Sequence, residues 1–175
     1  MSRIRVRWIG RVMVSMTLLL CAIAVSAQGP QLSFRSVNGQ TVNLTQEKGK
    51  VIVLSFSATW APLASKELPA VQRLADSYPG RGVSIYWVSI DTAKQGARNY
   101  ASDSDVAAFA AKYGLKVPVL RDPDQAAYKA LGLNALPTIV VIDRTGAVAF
   151  KHVGFDPDQA DPLGDVVRTV DGLLK

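Results

Sequence analysis

One segment constrains the fold of this chain more than any other: the almost continuously apolar, β-branched run from Val51 to Phe56. Such a run is typical of a strand that is covered on both faces by helices. A second run, Val83 to Ile90, ends at Asp91, and a third covers Ile139 to Ile142. We therefore expect the first strand to be central in a sheet, and we predict an α/β fold.

Helical and turn patterns connect these runs. Asn38-Gly39 joins two short, nearly alternating stretches and predicts an N-terminal β-hairpin. Apolar stripes and turn residues predict the remaining elements. These are helices over Leu63 to Ala75, around Val106 to Tyr113, from about Asp124 to Leu131 and from Pro162 onward, a short edge strand at Val117 to Leu120, and a strand over Ala147 to Val153. The order predicts a mixed central β-sheet flanked by helices.

The first 27 residues have the pattern of a secretory signal peptide. Four arginines and no acid accompany an apolar run, Val12 to Val25, and Val25-Ser26-Ala27 is a small-residue cleavage site. We expect cleavage after Ala27, one domain over residues 28–175, and a periplasmic or secreted location. An uncleaved anchor is less favoured because the run is shorter than the roughly 20 residues that span a bilayer. Lipidation at Cys21 is less favoured because Leu20 stands where a lipoprotein signal needs a small residue.

Charge and cysteine usage exclude several classes of function. Residues 28–175 hold 16 of the 20 basic residues and all 14 acidic ones, so their net charge is +2 instead of +6. This composition gives no support for nucleic-acid binding. The sole cysteine, Cys21, lies in the predicted signal. The predicted domain therefore has no thiolate or disulfide, and we expect no cofactor and no metal site around its single histidine, His152.

Short motifs follow one another along the predicted domain. They are Asn38-Gly39, Gly49-Lys50, Phe56-Ser57-Ala58-Thr59-Trp60, Lys66-Glu67-Leu68-Pro69, Lys112-Tyr113-Gly114-Leu115, Arg121-Asp122-Pro123-Asp124, Leu136-Pro137-Thr138 and Ile142-Asp143-Arg144-Thr145-Gly146. In this order and spacing they resemble the TlpA/ResA branch of the thioredoxin-like family, which is related to redoxins and AhpC/TSA proteins. The resemblance implies a thioredoxin-like fold and an exported thiol-disulfide oxidoreductase.

The chemistry implied by this resemblance needs Cys-x-x-Cys directly after the tryptophan, where a helix N-terminus stabilises a thiolate. The four positions here are Ala61-Pro62-Leu63-Ala64. An alanine methyl can neither attack a disulfide nor leave from one. We therefore assign no catalytic role to Ala61 or Ala64. A peroxiredoxin activity is excluded in the same way, because its single cysteine would fall near Ala64.

Other residues of the family's site remain, and we predict them to bind a partner. They are Trp60, Pro62, Glu67, Leu136, Pro137 and Thr138. The resemblance implies a cis Pro137, in a loop that either completes the fold or offers backbone hydrogen bonds to an extended peptide. Trp60 is either a core and rim aromatic or part of a partner groove. Glu67 matches a glutamate that tunes thiol acidity in the family; without a thiol, it is interpreted as a first-turn acid favoured by the helix dipole.

Three functions remain open at this point. The first is a non-catalytic module that binds an exported protein or peptide in the groove near Trp60 and Pro137. The second is a thiol-disulfide oxidoreductase of the TlpA/ResA type, which would be active only with cysteines at positions 61 and 64. The third is a purely structural subunit. No nucleic-acid partner and no stable membrane span after signal cleavage are expected from any of them.

Overall fold

The computed structural model describes residues 32–175. The predicted signal peptide and Cys21 lie outside the described residues. Within residues 32–175, none of the helices has the length and apolarity needed to cross a membrane.

Residues 32–175 form seven strands and four α-helices, and a single turn of 3-10 helix follows the second strand. The strands are β1 (Ser33–Ser36), β2 (Thr41–Asn43), β3 (Val51–Ser57), β4 (Val83–Ser89), β5 (Val119–Arg121), β6 (Thr138–Ile142) and β7 (Val148–Val153). The helices are α1 (Ala64–Asp76), α2 (Asp103–Lys112), α3 (Ala126–Ala130) and α4 (Gly164–Leu173), with the 3-10 turn at Leu44–Glu47.

The strands build one mixed sheet in the order β2-β1-β5-β4-β3-β6-β7. The three strands β3, β4 and β5 are parallel, whereas β6, β7, β1 and β2 add antiparallel strands on either side. All seven residues of β3 are buried. The apolar run from Val51 therefore forms an interior strand, and the N-terminal β-hairpin is present, as the sequence predicted.

Helices cover both faces of the sheet. On one face, Glu67 of α1 accepts a hydrogen bond from Ser55 of β3, and the ring of Phe109 in α2 stacks on Trp87 of β4 at 6.1 Å between centroids. On the other face, Tyr128 of α3 packs edge-on against Phe56, the strand neighbour of Ser55, at 6.2 Å. Because side chains alternate along a strand, these contacts place α1 and α2 opposite α3.

The prediction of an edge strand at Val117 to Leu120 is wrong in its placement. The strand that forms there, β5, is interior, because β1 of the N-terminal hairpin pairs with it antiparallel through Arg35 and Arg121. The hairpin therefore extends the sheet beyond β5, which leaves β2 and β7 at the two edges.

Two helices begin later than predicted. The carboxylate of Asp122 accepts hydrogen bonds from the backbone amides of Ala127 and Tyr128, so α3 starts at Ala126 and not at Asp124. The chain reaches that start through Gln125, whose φ of 59° is left-handed. The last helix starts at Gly164, because Pro162 lies in the preceding turn.

Candidate functional site

The corner between β3 and α1 carries the most exposed tryptophan of the described residues. β3 ends at Ser57, and two successive turns follow before α1, closed by hydrogen bonds from Ala61 N to Ala58 O and from Ala64 N to Ala61 O at 3.0 and 3.1 Å. Trp60 stands at the tip of the first turn with 50% of its surface exposed. A large apolar side chain is thus presented at the surface by the first of these turns.

The two positions where the resemblance implies cysteines face the protein interior. Ala61 is 6% exposed and Ala64 is fully buried, whereas Pro62 between them is exposed and Leu63 is half-buried. The site therefore presents the surface of Trp60 and Pro62, and it offers no sulfur for attack on a disulfide.

The Leu136–Pro137 peptide bond is cis, as the family resemblance implies. Leu136 is half-buried, whereas the side chains of Pro137 and Thr138 are buried, which corrects their assignment as residues that contact a partner through their side chains. Thr138 pairs with Phe56 near the end of β3, four residues before Trp60. The structure thus brings the loop that contains Leu136 and Pro137, the proline loop, next to the Trp60 corner, although the two are far apart in the sequence.

A further apolar side chain that the sequence did not single out lies beside this loop. Val153, the last residue of β7, is 60% exposed and pairs with Thr138 across the strands. The amide of Gly154 donates to the carbonyl of Pro137 at 2.8 Å, which ties the end of β7 to the loop. The alternation of β7 is the signal that could have indicated Val153, because alternate positions from Ala149 to Val153 face solvent.

Glu67 is separated from this surface. Its side chain is fully buried beneath the first turn of α1, where Oε1 accepts a hydrogen bond from Ser55 Oγ. Neither Oε2 of Glu67 nor Oγ of Ser57 has a hydrogen-bond partner within residues 32–175. Burial raises the pKa of Glu67 to about 7, although the hydrogen bond from Ser55 acts in the opposite direction. Glu67 therefore cannot contact a partner directly, which corrects its assignment as a binding residue.

The single histidine and a cleft lie beside α4. His152 Nδ1 is 2.9 Å from Asp165 Oδ2, which joins β7 to α4. Among residues 32–175, no cluster of three or more histidine, cysteine, aspartate or glutamate side chains is arranged to hold a metal ion. A cleft of about 220 Å³ lies between the second half of α1 and the start of α4, and its walls include Arg73, Leu74 and Val167. It is separate from Trp60 and the proline loop.

Comparison with known proteins shows extensive similarity. A family model described as Redoxin matches residues 24–167. Thiol-disulfide oxidoreductase ResA of Bacillus thuringiensis (strain Al Hakam) is 30% identical over 130 residues, which is 74% of this chain and 70% of that protein. Thioredoxin-like protein YneN of Bacillus subtilis (strain 168) is 30% identical over 133 residues, with 73% and 70% covered. A thiol:disulfide interchange protein DsbE structure from Chlorobium tepidum superimposes with a TM-score of 0.70 at 27% identity, covering 85% of this chain and 96% of that one. These similarities confirm the thioredoxin-like fold.

Proposed function

The chain belongs to the Redoxin family, and we propose that it is a member without thiol chemistry that binds polypeptides. The proposed binding surface consists of Trp60, Pro62, Leu136 and Val153. The observation that carries the proposal is the exposure of half of Trp60 beside the proline loop, in a site where alanine fills both sulfur positions.

Apolar exposure supports the choice of this surface. Among the described residues, the large hydrophobic side chains that remain exposed are Trp60 and Val153, at 50% and 60%. Both lie next to the proline loop, on either side of the strand that begins at Thr138. Clustered apolar side chains on an otherwise polar surface mark sites of protein interaction, and tryptophan contributes disproportionately to such interfaces.

Free backbone groups support an extended segment as the bound form. The amide and the carbonyl of Leu136 form no hydrogen bond within residues 32–175. An extended peptide laid along the loop can accept from this amide and donate to this carbonyl, as an added β-strand does. The side chains of Trp60 and Leu136 would then contact apolar residues of the bound segment.

The absence of thiol chemistry rests on the atoms at two positions. Exchange requires a thiolate that attacks one sulfur of a disulfide and expels the other. Ala61 and Ala64 supply no sulfur. The buried hydroxyl of Ser55 donates a hydrogen bond to Glu67.

Binding is tested with defined probes. A library of random dodecapeptides is selected on the protein, and the dissociation constant of an enriched peptide is measured by calorimetry. We expect Trp60→Ala and Leu136→Asp each to weaken binding by about thirtyfold, as for interface residues whose truncation costs 2 kcal/mol. Ala149→Asp, at the exposed start of β7, is the matched control and should bind as the unaltered protein does. Equal affinities of the unaltered protein and the three variants would contradict binding at this surface.

The names of the relatives favour a second candidate, a thiol-disulfide oxidoreductase. Reduction of insulin disulfides by dithiothreitol distinguishes the two. We expect no acceleration by the protein, and acceleration by the double variant Ala61→Cys, Ala64→Cys. Turnover by the unaltered protein would contradict the proposal, whereas an active double variant would show that only the two sulfurs are missing.

We also propose export to the periplasm or the exterior, on the basis of the arginines and the apolar run before Ala27. N-terminal sequencing of the protein purified from a periplasmic fraction should give Gln28 as the first residue. A protein that retains Met1 and stays with the cytoplasmic fraction would contradict this.

A further inference from the structure

A buried group of polar side chains lies directly behind the Trp60 corner. This group, the Asp91 cluster, consists of Thr59, Ser89, Asp91, Asp103 and Arg121. Its centre is closed to solvent, since Ser89 and Asp91 are 0% exposed and Arg121 is 4% exposed. β3, β4 and β5 are neighbouring parallel strands, so the residues at their carboxyl ends meet at one edge of the sheet.

Asp91 binds the corner through both oxygens of its carboxylate. Oδ1 accepts a hydrogen bond from Thr59 Oγ1 at 2.6 Å, and Oδ2 accepts one from Thr59 N at 2.9 Å. Oδ2 also accepts from Ser89 Oγ at 2.8 Å. Hydrogen bonds to a charged acceptor are shorter and stronger than neutral ones. Two of these hydrogen bonds come from Thr59, the residue immediately before Trp60.

Arg121 links Ser89 to the start of α2. Its Nη1 donates to Ser89 Oγ at 2.7 Å, and its Nη2 donates to the carbonyl of Ala101, also at 2.7 Å. Its Nε lies 3.1 Å from Asp103 Oδ1, at the start of α2. This Nε contact is an ion pair without hydrogen-bond geometry, whereas both Nη atoms donate hydrogen bonds. The Asp91 cluster therefore joins the corner to β4, β5 and α2.

Little else holds the backbone at the tip of the corner. The amide and carbonyl of Trp60 form no hydrogen bond within residues 32–175, and the turn below them is closed by the single bond from Ala61 N to Ala58 O. The indole is half exposed. The two bonds between Thr59 and Asp91 are thus the main restraint on the direction in which Trp60 leaves the sheet.

We infer that Asp91 is a positioning residue, which acts through Thr59 to hold Trp60 in the orientation that binds a polypeptide. The role in binding rests on the proposed function, but the effect of Asp91 on the backbone of the corner is measurable without any ligand. Asp91 itself is closed to solvent and touches no partner. An indole that is already fixed in place loses less conformational freedom on binding, so the cluster would raise the affinity of the surface.

Hydrogen–deuterium exchange of the full chain tests the structural part. Thr59→Val removes the side-chain donor with little change of shape, and Thr59→Ser retains it as the matched control. We expect the hydrogen-bonded amides of residues 59 and 61 to exchange about tenfold faster in Thr59→Val, the effect of one charged hydrogen bond, and faster still in Asp91→Ala. Thr59→Ser should match the unaltered protein, and α4 should be unchanged in the two Thr59 variants. Equal exchange of the amides of residues 59 and 61 in the valine and serine variants would overturn the inference.

A double-mutant cycle tests the effect on binding, with the enriched dodecapeptide as the probe. We expect Trp60→Ala to weaken binding about thirtyfold in the unaltered protein and only a few-fold in the Thr59→Val background, because the indole is then no longer held in place. A full thirtyfold loss in both backgrounds would overturn the positioning role while leaving the proposed function intact. If no peptide is enriched, the proposed function fails, and the exchange measurement alone decides whether Asp91 fixes the corner.

Discussion

The buried carboxyl of Glu67 gives a pH dependence of stability whose sign follows from the structure. We consider the substitution Glu67→Gln, which has the shape of the protonated acid. Its amide oxygen can accept from Ser55, and its amide nitrogen can donate toward Ser57, whose hydroxyl has no partner within residues 32–175. The variant therefore mimics the neutral form of Glu67 at every pH.

The magnitude comes from the pKa difference between folded and unfolded protein. Burial raises the pKa of Glu67 from 4.5 to about 7. Between these values the folded protein keeps a proton that the unfolded chain has released, so the free energy of unfolding falls as the pH rises. The slope is about 1.4 kcal/mol per pH unit, and the loss reaches about 3 kcal/mol near pH 7 and then stays constant.

Urea denaturation from pH 4 to pH 8, followed by circular dichroism, measures this effect. We expect the unaltered protein and Glu67→Gln to differ little at pH 4, and the variant to be more stable by about 3 kcal/mol at pH 8. Glu47→Gln is the control, because the hydrogen bond from Lys50 lowers the pKa of Glu47 instead of raising it. The Glu47→Gln variant should still lose stability between pH 4.5 and 7, because it retains Glu67. A constant difference between the unaltered protein and Glu67→Gln at all pH values would refute the reasoning.

Two further predictions concern local structure. Ser102 caps α2, where its Oγ accepts from Asp105 N at 3.1 Å; Ser102→Ala should lower the free energy of unfolding by about 1 kcal/mol, whereas Ser102→Thr should retain most of it. An alanine variant as stable as the unaltered protein in urea would contradict this. Asp143 Oδ1 accepts hydrogen bonds from Thr145 Oγ1 at 2.6 Å and from Ala147 N at 3.0 Å. These hydrogen bonds lower the pKa of Asp143 below its usual value of 3.8, and the bond from the Thr145 side chain has the largest effect. The ionised Asp143 therefore stabilises the fold above about pH 4, and this stabilisation is lost in more acidic solution. Asp143→Ala should lower the free energy of unfolding by about 1–3 kcal/mol at pH 7 and by less at pH 2. An equal effect at both pH values would refute this prediction.

The local patterns of the sequence predicted much of the fold. The apolar runs of β3, β4 and β6 and the stripe of α1 are set by residues close together in the chain, so periodicity reveals them. The position of β5 was different, because the sequence shows that Val119 and Leu120 are apolar but not which strand pairs with them. Its pairing with β1 joins residues more than eighty positions apart, and no local pattern records such a pairing.

The same distinction between local sequence and tertiary structure applies to the candidate site. The sequence alone determined that the corner after β3 carries Trp60 and that positions 61 and 64 hold no sulfur, because chemical identity does not depend on folding. Only the tertiary structure decided that Glu67 is buried, that Val153 lies beside the proline loop, and that Asp91 binds Thr59 across 32 residues. Burial and hydrogen-bond partnership depend on how helices dock and strands align, and these are properties of the whole packed chain.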